Sequence, residues 1–328
     1  MNKKIKELKE AAEKQFGKGA VMLLGDTDIP VTDVIPTNIY SLDRAVGIKG
    51  FPKGRMVEVY GPESSGKTTL ALIVAAEAQQ RGEIVAYIDA EHSLDLNLAR
   101  ILGVKVEELL ISQPDSGEQA LELVEHYARS GDVGVIVVDS VAALTPTAEV
   151  QGDMGDSHMG LQARLMSQAC RKLVAVLHKT NTMLIWINQI RSKIGVVFGN
   201  PETTPGGMAL KFYSSLRLEV RSGERLKNGT TVIGHVIVVK VAKNKLAPPF
   251  ARVEFPLIYG RGVDKVGDIF DFAVVKGVVE KAGAWYSFNG DRLGQGRDNS
   301  VEKLAENESL VAKIVEKLDG TPQTTSAV

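Results

Sequence analysis

A single cysteine, Cys170, leaves this chain without the partner that an internal disulfide requires, which fits a reducing cytoplasm. Its five histidines are scattered, and neither HExxH nor CxxC occurs, so a metal site built from histidine or cysteine is not expected. Long apolar runs are missing too. Leu70–Ala76 and Val133–Val138 fall far short of the roughly 20 residues that span a bilayer, so no membrane partner is expected. The N-terminus mixes lysine with glutamate and carries no apolar segment of the kind found in signal peptides. There are no internal repeats, and residues 320–328 have the uncharged tail expected to fray. What remains is a globular composition, 44% hydrophobic and 24% charged, which excludes a disordered or collagen-like chain. At 328 residues, one large domain with smaller attachments is expected.

Acidic residues are missing locally rather than globally. Lys+Arg 39 against Asp+Glu 40 gives a net charge of −1, which alone says nothing about nucleic acid. Yet Gly160–Asn200 holds no Asp or Glu while carrying Arg164, Arg171, Lys172, Lys179, Arg191 and Lys193. At the chain's average acid content, such a stretch arises by chance in about half a per cent of cases. A second acid-free stretch, Arg225–Val253, carries Arg225, Lys227, Lys240, Lys243, Lys245 and Arg252. Two readings are open: a solvated face neutralised from elsewhere in the fold, or a surface for phosphates of nucleotide, nucleic acid or both.

Periodicity organises the rest. Ile5, Leu8, Ala12 and Phe16 recur at helical spacing and predict a helix over Lys3–Phe16 whose apolar stripe must dock on something. Residues 17–36 then read as a separating stretch. Strands are predicted at Met56–Tyr60, Ile84–Asp89, Val133–Asp139 and Leu184–Asn188, with helices at Thr68–Arg81, Gly117–Ser130 and Leu161–Thr180. Near-continuous apolar strands alternating with helices imply an α/β fold, a mostly parallel sheet covered on both faces. Leu216–Val220 and Val232–Val241 lack long helices between them and are expected to continue the sheet as antiparallel strands. After Asp264 a small α/β module follows, ending in one helix near Val301–Leu318. Two loops, Thr145–Gly160 and Ile190–Gly207, are long and glycine-rich, as functional loops are.

The most specific motif is Gly61-Pro62-Glu63-Ser64-Ser65-Gly66-Lys67-Thr68, which fits GxxxxGK[ST]. A chance match in a chain this long occurs roughly once in a hundred. Its glycines let backbone N–H groups close on phosphates, Lys67 would neutralise the β/γ-phosphates, and the Thr68 hydroxyl would ligate Mg²⁺. Val135–Ser140 is an apolar strand ending in Asp139, either a magnesium-holding carboxylate or a turn-forming one. Ala90-Glu91-His92 follows another strand. Because ligands bind at the C-terminal ends of parallel strands, Glu91 is placed to deprotonate an attacking water, unless it merely caps the next helix. Asn188-Gln189 ends a further strand, where an amide could sense the γ-phosphate.

These residues, with GPESSGKTTLAL at 61–72, IDAEHSLD at 88–95, VIVVDSVAALTP at 135–146, INQIRSKIGVVFGNPETTPGG at 187–207 and EKAGAWYSFNGDRLGQG at 280–296, resemble the bacterial RecA recombinase family. The resemblance runs from about Phe16 to Asn299. It implies a RecA-like P-loop core with an N-terminal polymerisation helix and linker (1–28), an ATPase core (29–264) and a small C-terminal domain with an uncharged tail (265–328). It further implies an ATP- and Mg²⁺-dependent DNA-dependent ATPase that forms filaments on single-stranded DNA and exchanges strands with double-stranded DNA. The expected setting is recombinational repair and the SOS response, with itself and a LexA-type repressor as protein partners. By resemblance Glu91 is the catalytic carboxylate and Gln189 the residue coupling the γ-phosphate to the second DNA loop. Lys243 and Lys245 are the pair that reaches a neighbour's ATP, and Phe212 is an interface residue. Asp95, Thr69 and Tyr259 join residues 61–68 around the nucleotide. Met159, Arg164, Arg171, Arg191, Lys193, Ile194, Gly206 and Gly207 match positions touching the primary DNA strand.

Departures from the family pattern are specific. Leu98 stands where a tyrosine usually stacks on adenine, Pro205 replaces a threonine in the second loop, and Val238 replaces a basic residue of the duplex-capturing site. Rival readings are a hexameric helicase or circadian-type ATPase, a filament scaffold without useful turnover, and a small-molecule kinase. The N-terminal helix and loop sequences disfavour the first, Glu91 the second. For the third, no acceptor-substrate constellation is visible.

Overall fold

The computed structural model describes residues 3–18, 20, 21, 23, 32–153, 155, 156, 158, 160–192, 199 and 201–320. It divides into two units, Met1–Asp33 and Val34–Val328. In the first, helix α1 spans Lys3–Phe16, as its periodicity predicts. None of its residues is buried, and Ile5, Leu8 and Phe16 are exposed.

The second unit opens with β1 (Val34–Ile35), α2 (Tyr40–Val46) and β2 (Phe51–Pro52), the two strands pairing antiparallel. There follow β3 (Met56–Gly61), α3 (Lys67–Gln80), β4 (Ile84–Asp89), α4 (Leu96–Ile101), β5 (Leu109–Ser112), α5 (Gly117–Ser130), β6 (Val133–Asp139), α6 (Thr147–Val150), α7 (Leu161–Thr180) and β7 (Met183–Gln189). Short strands β8 (Arg191–Ser192) and β9 (Glu202–Thr203) pair with each other, and α8 (Ala209–Tyr213) leads to β10 (Leu216–Asn228), β11 (Thr231–Asn244), β12 (Arg252–Ile258) and β13 (Gly262–Val263). One nine-stranded sheet results, in the order β13-β12-β11-β10-β3-β7-β6-β4-β5.

The expectation for the late strands is half corrected. β11, β12 and β13 are antiparallel, but β10 runs parallel to β3, with Leu216 opposite Val57. The reason lies in the connection from β7. It returns the chain to the starting end of β3, where Ser215 N donates to Met56 O (2.9 Å), so β10 sets out in the same direction as its neighbour. Three strands of this sheet escape the apolar-run reading: β5 is short and half-exposed, β12 alternates, and β13 is only two residues long.

Side-chain alternation sends Val57, Val59, Val135, Val137, Ile185 and Ile187 to one face of the sheet, where α3 packs. Met56, Ile136, Val138, Leu184 and Trp186 point to the other, under α5 and α7. Helix α3 is apolar around its circumference and almost wholly buried, as such a helix must be. Its burial anchors the first residue after the glycine loop, Lys67, in the body of the protein.

The C-terminal part has its own core around Phe270, Phe288 and Leu304, formed by α9 (Lys265–Val275), the antiparallel strands β14 (Glu280–Ala282), β15 (Trp285–Phe288) and β16 (Asp291–Gln295), and α10 (Arg297–Ala305) with α11 (Glu308–Gly320). The single helix expected at Val301–Leu318 is thus two. Asn307 breaks it, since its side-chain oxygen accepts from Leu310 N (3.1 Å) and starts a new helix. This part is fastened to α2 and α3: Asp268 accepts from Ser41 N (2.9 Å), Lys265 pairs with Glu77 (2.6 Å), and Tyr40 packs edge-on against Phe272.

Burial pushes the Asp268 carboxyl from the usual 3.8 up to about 6. A carboxyl raised on folding contributes stability that is full below its unfolded value and lost as pH rises through its folded one. Asp268→Asn keeps an acceptor for Ser41 N–H and removes the titration. Its unfolding free energy, from urea melts, should therefore change less between about pH 4 and 7 than that of the parent chain. Equal pH dependence in the two proteins would rule Asp268 out as the titrating group.

Candidate functional site

β3 delivers the chain to Gly61, and α3 takes it up again at Lys67. The turn between them needs its glycines. A side chain at Gly61 would meet Val220 O at 1.9 Å; Gly66 has φ +96, and a Cβ there would lie 2.7 Å from Ile237 Cδ1. The loop is braced internally, with Ser65 Oγ and Lys67 Nζ both donating to Pro62 O (2.8 and 2.6 Å). Pro62, Glu63 and Ser64 are exposed, whereas Thr69 points into the buried side of α3. Burial lowers the Lys67 pKa, opposed by Asp139, Glu91 and Glu63.

The parallel strands bring the other groups to the same edge. Thr68 Oγ1, from the first turn of α3, donates to Asp139 Oδ2 at the end of β6 (2.9 Å). Tyr87 OH on β4 donates to the same oxygen (2.6 Å). Burial raises the Asp139 pKa, against the lowering effect of these two hydrogen bonds. Tyr87 has no signature in the sequence because it sits inside an apolar strand; its phenol is pushed well above the ordinary range, chiefly by burial.

Glu91 lies in the turn after β4. Asp89 shapes that turn by accepting from Ser93 N (3.1 Å), Leu94 N (3.3 Å) and Gln113 Nε2 (3.1 Å). Glu91 Oε1 accepts from Gln189 Nε2 (2.9 Å) and from the Ser140 hydroxyl. Glu91, Gln189, Lys67, Thr68, Asp139 and Ser140 therefore line one cleft, of about 240 Å³, with Glu63 and Ser64 at its rim. The sequence motifs point to this convergence one by one; the fold assembles it.

Other expected residues lie elsewhere. Asp95 caps α4, its carboxylate accepting from Asn97 N (2.8 Å) and Leu98 N (3.1 Å). Tyr259 is exposed, and its OH hydrogen-bonds His235 Nδ1 (3.2 Å). Lys243 and Lys245 are at the opposite end of β3 from Gly61: Lys243 is opposite Arg217, which pairs with Glu58, and Lys245 lines a groove of about 530 Å³ with Met56 and Phe212. Both lysines donate to Phe212 O (3.0 and 2.9 Å), and Phe212 itself is 66% exposed. Arg164 and Arg171 are exposed on α7, seven residues and so nearly two turns apart, on one face. Arg191 is exposed in β8. Gly206 and Gly207 have φ +82 and +75 and pack too closely on Val141 and Ala163 to admit side chains. Met159, Lys193 and Ile194 lie outside the described residues.

A glycine loop between a buried parallel strand and a helix, facing a strand-end aspartate and a glutamate–glutamine pair, defines a P-loop ATPase core. The model of the RecA N-terminal domain matches residues 3–264, and that of the RecA C-terminal domain residues 267–321. Protein RecA of Geobacter sulfurreducens is 61% identical over 307 residues, covering 93% of this chain and 91% of the relative. That of Thermus thermophilus is 58% identical over 322 residues (97% and 95%), and that of Bdellovibrio bacteriovorus 59% over 322 (97% and 85%). The chain belongs to the RecA family. It is accordingly a recombinase, a DNA-dependent ATPase that assembles with itself on DNA and exchanges strands in repair and the SOS response. No helix among the described residues is long and apolar enough to cross a membrane.

Partial burial, with Lys245 and Arg217 nearby, brings the Lys243 pKa down to about 8. In nucleotide-free protein, side-chain ¹⁵N NMR should find the Lys243 ammonium titrating near there, and Lys245→Ala should move it upward by removing a like charge. Ordinary lysine titration, near about 10.4, in both proteins would show that this crowding is absent.

Proposed function

We propose that ATP is held over residues 61–68, hydrolysed by water that Glu91 deprotonates, and completed by Lys243 and Lys245 of an adjacent copy. The observation that carries this reading is the separation of cations. The described lining of the cleft contains one, Lys67, while Lys243 and Lys245 lie beside the other end of β3, both bonded to Phe212 O. A head-to-tail neighbour would supply them once they release their bonds to Phe212 O.

The residues fit Mg²⁺. Thr68 Oγ1 and Asp139 offer hard oxygen donors side by side, and no cluster of three or more His, Cys, Asp or Glu occurs among the described residues. A magnesium ion that relies on a few protein oxygens, with phosphates and water for the rest, suits that set. When bound, the ion offsets charge on the β- and γ-phosphates. Gln189 is the γ-phosphate sensor: without nucleotide its amide rests on Glu91, and the residue after it opens the second long loop. Thr145–Gly160 and Ile190–Gly207 are the DNA loops. Arg164, Arg171 and Arg191 supply cations to the phosphate backbone, with Lys193, Met159 and Ile194 completing the strand contact. Gly206 and Gly207 keep the loop's exit close to α7. Asp95, Thr69 and Tyr259 border the nucleotide, and Phe212 meets the neighbour. Residues 1–28 serve polymerisation, 29–264 form the ATPase core, and 265–328 the small domain and tail. A cytoplasmic location and a LexA-type repressor as partner complete the reading.

Glu91→Gln keeps the shape of the side chain and loses the base. DNA-stimulated phosphate release should fall by about 10²–10⁴ with ATP binding retained. Turnover near that of the parent chain would move the base to another residue.

Complementation tests the shared site. Lys67→Ala protein and Lys243→Ala/Lys245→Ala protein should each be nearly inactive alone. Mixed together they form some interfaces that join a sound P-loop to sound lysines, so DNA-dependent hydrolysis should partly recover and grow with concentration. Co-assembly without any recovery would place the lysines' action within their own chain or on DNA.

A further inference from the structure

β3 carries one charge in its interior. Glu58 is completely buried, on the sheet face opposite to Val57 and Val59. A buried carboxylate is costly unless its oxygens are engaged, and here both are. Oε1 accepts from Asn188 Nδ2 on β7 (3.0 Å), and Oε2 accepts from Arg217 Nε on β10 (2.5 Å). The hydrolysis of ATP proposed above makes no use of it.

Asn188 has no spare hydrogen-bonding capacity on its nitrogen. It too is fully buried, and Nδ2 also donates to Pro205 O (3.1 Å). Its Oδ1 accepts from Gln189 N (2.9 Å), and the Gln189 side chain reaches Glu91 (2.9 Å). One primary amide therefore ties three things together: the backbone of the residue facing the γ-phosphate, the backbone just before Gly206-Gly207, and the Glu58 carboxylate. An ionised carboxylate is the strongest acceptor of the set. It keeps both N–H bonds of the amide turned toward β3 and the loop exit. Arg217, stacked over Tyr60 (4.5 Å), pairs with that carboxylate from the other side.

We infer that Glu58 is the positioning residue that links Gln189 to the end of the second loop, through Asn188. A shift of Gln189 on engaging a γ-phosphate pulls on Asn188. The Pro205 carbonyl must follow, because the same amide holds it while Glu58 fixes the pivot. The inference rests on the reading of Gln189 as sensor and of residues 190–207 as a DNA loop.

The measurement is the ratio of affinities for a non-hydrolysable ATP analogue with and without oligo(dT). Coupling between sites is reciprocal, so this ratio reports how nucleotide and DNA sense each other. Coupling of this kind is typically about 5–150-fold, and in Glu58→Gln and Asn188→Ser the ratio should fall to within about twofold of unity. A merely structural role would lower the unfolding midpoint and leave the ratio as in the parent chain. Should Glu58→Gln fail to fold, Asn188→Ser decides, since it leaves Glu58 paired with Arg217. A parental ratio in the folded variants overturns the role given to Glu58 while the sensor and loop assignments stand. No coupling in the parent chain overturns those assignments and the inference with them.

Discussion

Parallel pairing of β3, β7, β6 and β4 is the constraint from which the site follows. In a parallel ladder every strand ends at the same edge, so whatever residue terminates each strand is delivered to one line. Gly61 and Gln189 are register partners, as are Asp89 and Asp139. The side chains next to these termini, Lys67, Thr68, Glu91 and Ser140, then need only short turns to converge. No long-range loop has to fold precisely for the cleft to exist. The turns are stiffened by local bonds, those of Asp89 to Ser93 and Leu94 and of Lys67 to Pro62.

The same ladder explains what the sequence makes legible. Strands buried on both faces are written as mostly apolar runs, and the four predicted from such runs agree with the fold to within a residue or so at each end. Helices α5 and α7 begin and end where their periodicity does. The glycine loop is legible because its spacing is a steric requirement. What stays hidden has less signature. β5 is half-exposed and only four residues long; the direction of β10 depends on a connection whose path no periodicity encodes; and Asn307 looks like any polar residue inside a helical pattern.

The candidate site divides the same way. Lys67, Thr68, Asp139, Glu91 and Gln189 were each readable from the end of a strand or the start of a helix, and they meet. Tyr87, Ser140, Glu58 and Arg217 were not, because their importance lies in which strand stands beside which. Glu58 in particular interrupts an apolar run and looks like an exception until β7 and β10 are placed on either side of it. Resemblance makes Asp95 a nucleotide contact; in the fold it caps α4, which resemblance does not reveal.

The separation of the cleft from Lys243 and Lys245 along β3 has a consequence for any assembly in which they meet. A surface that gives lysines at one end and receives them at the other is heterologous, so copies joined through it form a row with distinguishable ends rather than a symmetric pair. Unless the row closes into a ring, its two terminal copies are inequivalent. One has a cleft with no lysines opposite it, and the other has lysines with no cleft. A row of any length then contains one fewer complete site than it has subunits, and that deficit always lies at the same end. Turnover and subunit loss would accordingly have a direction built into them by the placement of two side chains at the end of β11.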